Sequence, residues 1–307
     1  MMKEGKKREN NHYYRSVLTS TYLLNTMSLR CLFMTLKGHD MFYNYLEKVR
    51  EGGKRAFTFK QILQEMNLSE DSAKSGLYRL KKEGKIISPA KGLYVIVPPE
   101  HQSYGSIPAE ELLPLLMKHL KVNYYVSLLS GATFYGAAHQ KPARFQFITN
   151  KRIKHPLEFG EVKLELIYKK SLTDLPTRDF VVSTGYLKVA SPELIAIDLL
   201  NYSSRAGGLN HIATVLSELI ESMDENKLIS LAEKITETYQ LQRLGYMLEK
   251  IETMDEDKTA QIVAKLEECL SGKMKAYVPL ASEIAKVGYP RIKKWKIIEN
   301  TTIESDL

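Results

Sequence analysis

Thr58–Pro99 reads TFKQILQEMNLSEDSAKSGLYRLKKEGKIISPAKGLYVIVPP. Ile62, Leu63 and Met66 recur at helical spacing after Thr58, so a helix is expected there. A second amphipathic run starts at Ser69, a good N-cap, with Glu70 and Asp71 where the helix dipole favours anions. It stops at Gly84. Ala73, Leu77 and Leu80 form its inward stripe. At about 100° per residue, Ser75, Tyr78, Arg79 and Lys82 fall on the opposite face, with Lys74 and Lys81 flanking. Lys85–Ser88 and Leu93–Val97 then read as two short strands around the turn Pro89-Ala90-Lys91-Gly92, closed by Pro98-Pro99. Upstream, Phe42, Leu46 and Val49 mark a helix over Asp40–Arg50 that Gly52-Gly53 ends. Helix, helix, basic helix and hairpin, in that order, define a winged helix-turn-helix.

Charge agrees with this reading. Residues 1–100 carry 18 Lys+Arg against 10 Asp+Glu, whereas residues 101–307 carry 26 of each, so the net +8 resides in the first third. Such an excess suits a polyanionic partner. Arg79 and Lys82 suit phosphates or guanine edges, and Ser75 and Tyr78 offer hydroxyls to backbone or base. Lys91, at the wing tip, reaches toward an adjacent groove. Glu70 and Asp71 oppose deep insertion of the helix start, so base contacts are expected from its middle. The expected DNA-contact set is Ser72, Lys74, Ser75, Tyr78, Arg79, Lys82 and Lys91. The alternative stays open: a solvated face on a structural unit, or a winged helix that binds a protein.

Around this unit the chain divides into three. Residues 1–36 form a leader in which Lys6, Lys7 and Arg8 precede Val17–Leu36. Thr19, Ser20, Thr21, Asn25, Thr26, Ser28 and Arg30 break that stretch, so it matches neither a secretory signal nor a membrane span. It reads as disordered or weakly helical, and Met27, Met34 and Met41 offer later starts. The winged unit occupies 37–101. A polar linker, Gln102–Pro108, leads into a second domain over 102–300, so the fold class is α+β: a mixed α/β domain with a largely helical C-terminal part.

That second domain is expected to begin with helices at Ala109–Leu120 and Tyr124–Ala137. Strands follow at Ala143–Thr149, Val162–Tyr168, Phe180–Ser183 and Tyr186–Val189. After Ser191-Pro192, an N-cap with proline at the first helical position, come helices at Pro192–Tyr202, Leu209–Ser222, Asn226–Glu237, Tyr239–Ile251 and Asp255–Leu270. Lys296–Glu299 adds a short strand.

Little in the chain points to catalysis. Two cysteines, Cys31 and Cys269, and seven scattered histidines show no metal-ligand spacing and suit a reducing cytoplasm. No metal or cofactor is expected. Arg205-Ala206-Gly207-Gly208-Leu209-Asn210 lacks both phosphate-loop patterns and reads as one helix ending before another begins. Glu161-Val162-Lys163 mimics the E-x-K element of metal-dependent nucleases, yet no aspartate lies between Asp71 and Asp174 to complete a site. Asp198, a lone acid in the apolar run Leu194–Leu200, is expected to pair structurally with Arg205 or Arg243. Arg144, Lys151, Arg152 and Lys154 form a second basic cluster that either extends a nucleic-acid footprint, meets a partner or is simply solvated. Residues 190–307, with 14 basic against 19 acidic groups, suit a protein partner as well as ordinary surface charge.

Four segments carry a family resemblance. Tyr124–Thr149 (YYVSLLSGATFYGAAHQKPARFQFIT), Val189–Tyr202 (VASPELIAIDLLNY), Ala206–Asn210 (AGGLN) and Leu241–Leu248 (LQRLGYML) are similar to the core of the AbiEi antitoxins. The likeness extends over roughly residues 40–300. It implies the antitoxin of a type IV toxin–antitoxin system for abortive infection, a phage defence, and a non-enzymatic, cytoplasmic protein. It further implies an autorepressor that binds inverted repeats in double-stranded operator DNA, as monomers pairing cooperatively. The implied partner is an AbiEii-like, nucleotidyltransferase-like toxin; no membrane is involved. The antitoxin role falls on 124–149 and 189–248, the DNA-binding role on the third-helix and wing residues.

Overall fold

The computed structural model describes residues 40–138 and 142–303. The leader, 1–36, and Cys31 lie outside them. By internal contacts the chain forms two compact units, one ending at Ile96 and the other starting at Val97.

The first unit opens with helix α1 over residues 40–51. Strand β1 (Ala56–Thr58), helix α2 (Phe59–Met66), helix α3 (Glu70–Lys82) and strands β2 (Ile86–Ala90) and β3 (Leu93–Ile96) follow. Local chemistry sets each boundary. Thr58 and Gln61 form a capping box at α2: the Thr58 hydroxyl accepts from the Gln61 amide at 3.2 Å, and Gln61 Oε1 accepts from the Thr58 amide at 2.7 Å. Asn67, in the left-handed region at φ 50°, ends that helix, and Ser69 caps α3 by accepting from the Ser72 amide at 3.3 Å. Arg79, Lys81 and Lys82 in the last turn of α3 complement its dipole.

The strands form one antiparallel sheet in the order β1-β3-β2, with Phe57 opposite Tyr94 and Ala90 opposite Leu93. Lys91 and Gly92 make the tip, where Gly92 takes a φ of +78°. Strand β1 is absent from the sequence reading. Three residues give no alternation to detect, and Phe57 is fixed by stacking on Tyr94 and by an edge contact with Tyr45. Phe42, Tyr45, Leu46, Val49, Phe57, Ile62, Leu77, Leu80, Ile86 and Ile96 close the core.

The second unit is built on a six-stranded sheet. After a 3-10 turn at Pro99–Tyr104, overlapping the start of the expected linker, come helix α4 (Ala109–Leu120), β4 (Tyr124–Val126) and α5 (Leu128–Ala132). Then follow β5 (Phe145–Thr149), β6 (Glu158–Phe159), β7 (Val162–Tyr168), β8 (Thr177–Val182) and β9 (Gly185–Ala190). The sheet order is β6-β7-β5-β4-β9-β8, with β5/β7 and β4/β9 parallel and the other neighbours antiparallel. The helix expected over Tyr124–Ala137 is thus replaced by a strand, a turn and a short helix. Tyr-Tyr-Val favours a pleated surface and fills the gap between β5 and β9. Leu128, buried at φ 53° as the first residue of α5, turns the chain away from β4.

Helices α6 (Pro192–Asn201), α7 (Leu209–Leu219), α8 (Glu225–Lys234), α9 (Tyr239–Lys250) and α10 (Glu256–Leu270) form the helical part. Residues 192–200 of α6 are all buried, the acids Glu193 and Asp198 among them, as expected of a largely apolar helix at the centre of a core. A small sheet of β10 (Val278–Pro279), β12 (Ile297–Ile298) and β11 (Arg291–Ile292), in that order, completes the unit. Trp295 is fully buried against α9, where Gly245 leaves room for its ring. No helix among the described residues is long and apolar enough to cross a membrane.

Candidate functional site

Helix α3 buries Ala73, Gly76, Leu77 and Leu80 on one side. Its other side presents Ser72, Lys74, Ser75, Tyr78 and Lys82, all exposed, and Arg79, half-buried. Tyr78 is 69% exposed, which places a large ring in solvent in the middle of the helix. Two members of the expected set have local duties. Ser72 accepts a hydrogen bond from the Ser69 hydroxyl at 2.9 Å within the cap. Lys74 pairs with Glu70 at 2.9 Å, and that carboxylate holds the ammonium protonated above its ordinary range. Tyr78, Ser75, Arg79 and Lys82 therefore form the part of the face with side chains least committed to the helix itself. Lys91 is exposed at the hairpin tip. A surface with this mixture of guanidinium, ammonium, hydroxyl and ring suits phosphates and base edges.

The second basic cluster is dispersed among other contacts. Arg144 pairs with Glu158 at 3.1 Å, and Arg152 lies over the Tyr168 ring at 4.5 Å. Lys151 and Lys154 are exposed in the loop after β5. Glu161 is exposed in the turn between β6 and β7, and no three His, Cys, Asp or Glu among the described residues are grouped to hold a metal.

A buried ionic cluster was not legible as such in the sequence. Asp198, fully buried on α6, accepts from the Tyr125 hydroxyl and the Ser127 hydroxyl at 3.0 Å each through Oδ2. Its Oδ1 meets Lys169 Nζ at 3.1 Å. The expected partners are engaged elsewhere: Arg205 pairs with Glu165, and Arg243 donates from Nε to the Pro279 carbonyl at 2.9 Å. Lys169 follows β7, whose parallel pairing with β5 delivers it to the cluster; proximity in sequence had favoured Arg205. Burial pushes the Asp198 carboxyl up, outweighing the opposing pull of Lys169, Ser127 and Tyr125. Burial, then the neighbouring carboxylate, pushes the Tyr125 phenol up as well. Tyr125 also lines an open cleft of about 850 Å³ with Tyr124, Tyr186, Lys118 and Lys188.

The fold and these surfaces define a mixed α+β protein with an N-terminal basic helix and a helical C-terminal part. Residues 125–250 match the AbiEi antitoxin C-terminal domain, so this part of the chain is similar to that family. The cluster residues Tyr125, Ser127, Lys169 and Asp198 all fall inside the match. The RV2827C protein from Mycobacterium tuberculosis, known as a crystal structure, shares the fold with a TM-score of 0.61 at 16% identity. That likeness covers 85% of this chain and 91% of that one. An antigenic nucleotidyltransferase-like protein from Paracoccidioides brasiliensis reaches a TM-score of only 0.29 at 13% identity, over 53% of this chain and 89% of its own. No curated protein matches the chain.

Proposed function

We propose that the chain is a non-enzymatic antitoxin with a second role as repressor of its own operon. In this reading the first unit is a winged helix-turn-helix, and α3 lies in the major groove of operator DNA with β2–β3 as the wing. The second unit, with its AbiEi domain, counteracts a nucleotidyltransferase-like toxin. Inverted repeats would seat two copies. The observation that carries the DNA-binding half is the outward face of α3, where Tyr78 is 69% exposed beside Ser75, Arg79 and Lys82. Nothing in the core requires a tyrosine there.

The test is a titration of the upstream intergenic DNA at several salt concentrations. Changing Arg79 and Lys82 together to Ala should weaken binding strongly and reduce the magnitude of the slope of log K against log[salt] by about 2, because two fewer counterions are released. A double variant that binds the fragment as the wild type does, with the same slope, removes α3 from the interface.

A further inference from the structure

The two most exposed large apolar side chains of the described residues are Met254, at 93%, and Val287, at 89%. Both sit on loops of the second unit, and the loops carry opposite charge. Residues 252–257 read ETMDED, and residues 282–293 read SEIAKVGYPRIK.

The second loop is held in shape before any partner arrives. Asn300, buried beneath it, accepts from the Ala281 amide at 3.0 Å and donates through Nδ2 to the carbonyls of Ala281 and Ile284 at 2.8 and 3.0 Å. The Glu299 amide donates to the Pro290 carbonyl at 3.0 Å, pinning the other foot. On this fixed frame Ile284, Val287 and Tyr289 are all exposed, with Lys286, Arg291 and Lys293 around them and Glu283 as the lone acid. A prearranged apolar tip loses little entropy when it docks. The acidic loop is likewise ordered: Thr253 and Thr259 share a hydrogen bond at 2.7 Å, and Asp255 caps α10 by accepting from the Lys258 amide at 2.9 Å. Glu252, Glu256, Asp257, Lys286 and Lys293 make no ion pair among the described residues, so both rims present their charge outward.

We propose that the 282–293 loop of one copy docks on the 252–257 loop of a second copy, apolar tip to Met254 and basic rim to acidic rim. The same chain supplies both halves of the match, which is why a second copy is the favoured occupant. Two loops bury a small surface, so the association is weak and salt-sensitive. It does not depend on DNA binding.

The experiment is sedimentation equilibrium of the full chain without DNA, up to about 100 µM and at low and high salt, a range suited to a small interface. The wild type should gain mass with concentration at low salt and return to monomer at high salt. Lys286→Glu with Lys293→Glu leaves both loops acidic, and Glu252→Lys with Glu256→Lys and Asp257→Lys leaves both basic; each variant alone should associate at least about tenfold more weakly. Mixed in equal amounts, the two should recover association to within about threefold of the wild type, since the unaltered loops pair as in the wild type and the reversed loops match each other. Trp295 fluorescence confirms that each variant is folded. A wild type that stays monomeric throughout, variants that associate as it does, or a mixture that fails to recover overturns the proposal.

Discussion

Asp198 occupies the middle of α6, a largely apolar helix whose other acid is Glu193, and its fully buried carboxylate has partners on three elements: Tyr125 on β4, Ser127 at the start of α5 and Lys169 after β7. A buried pair of this kind rarely stabilises a fold more than an apolar pair would, but removing one member leaves the other uncompensated. Lys169→Met is therefore expected to cost about 3–5 kcal/mol in a urea titration near neutral pH, because Asp198 keeps its burial and loses its cation. Asp198→Asn should cost far less: the amide oxygen still accepts from Ser127 and Tyr125, and Lys169, partly exposed, can turn to water.

The pH dependence separates these cases. Burial raises the Asp198 carboxyl above its unfolded value, so between the two values the folded chain holds a proton that the unfolded chain has released. Stability from this group is complete below the unfolded pKa and is lost as pH rises through the folded one. The wild type should lose stability upward from the ordinary carboxylate range, and the Asn variant should lack that component. Identical pH profiles for the two would show that folding leaves the Asp198 pKa unshifted.

At the scale of elements, two glycines set how closely helices approach aromatic rings. A Cβ at Gly76 on α3 would fall within the Phe42 ring, and one at Gly245 on α9 within the Trp295 ring. Alanine ordinarily favours a helix interior over glycine by about 0.5–1 kcal/mol. Overpacking a filled core costs about 1–3 kcal/mol, so both Gly76→Ala and Gly245→Ala are expected to destabilise despite the better helix former. Trp295 is the sole tryptophan, so its fluorescence should show the Gly245 effect, while far-UV circular dichroism covers the Gly76 effect. A midpoint raised by either change would mean that the ring moves aside freely.

Neither glycine was singled out from sequence, because its partner ring lies far away in the chain. The same limit explains what was and was not legible. Helices with their own caps read correctly, since Ser69 opens α3 and Ser191-Pro192 opens α6; α4 spans the expected Ala109–Leu120 without a side-chain cap. Strands β3, β5 and β7 also fall where they were expected, whereas the two- and three-residue strands β1 and β6, and β4 where a helix was expected, did not read from sequence. The candidate DNA face was readable because one amphipathic helix contains it. The Asp198 cluster was readable only as a lone buried acid, since Lys169 arrives through the parallel pairing of β5 with β7.

For the whole molecule, charge and packing together argue for separable roles. The second unit closes its own core from Tyr125 to Ile297, and its sheets need no strand from residues before 97. Residues 101–307 are formally neutral, with 26 charges of each sign. Of its second basic cluster, Arg144 and Arg152 are engaged with Glu158 and Tyr168, which leaves Lys151 and Lys154 least committed. The positive excess of the first hundred residues is itself divided, since residues 1–36 hold six basic and two acidic groups. In the proposed DNA-binding reading, the leader adds non-specific attraction, while the α3 face supplies the base-reading contacts.

A fragment of residues 97–307 should therefore fold, with a Trp295 transition close to that of the full chain, and should still relieve growth arrest by the toxin. It should lose the upstream-DNA shift, retaining a salt slope of at most about 2 from two phosphate contacts. Removing residues 1–36 alone should lower affinity for unrelated DNA more than it lowers preference for the native upstream sequence. A folded 97–307 fragment that shifts this DNA as tightly as the full chain would move the operator contacts into the antitoxin unit. One that folds but no longer rescues growth would mean that neutralisation requires both.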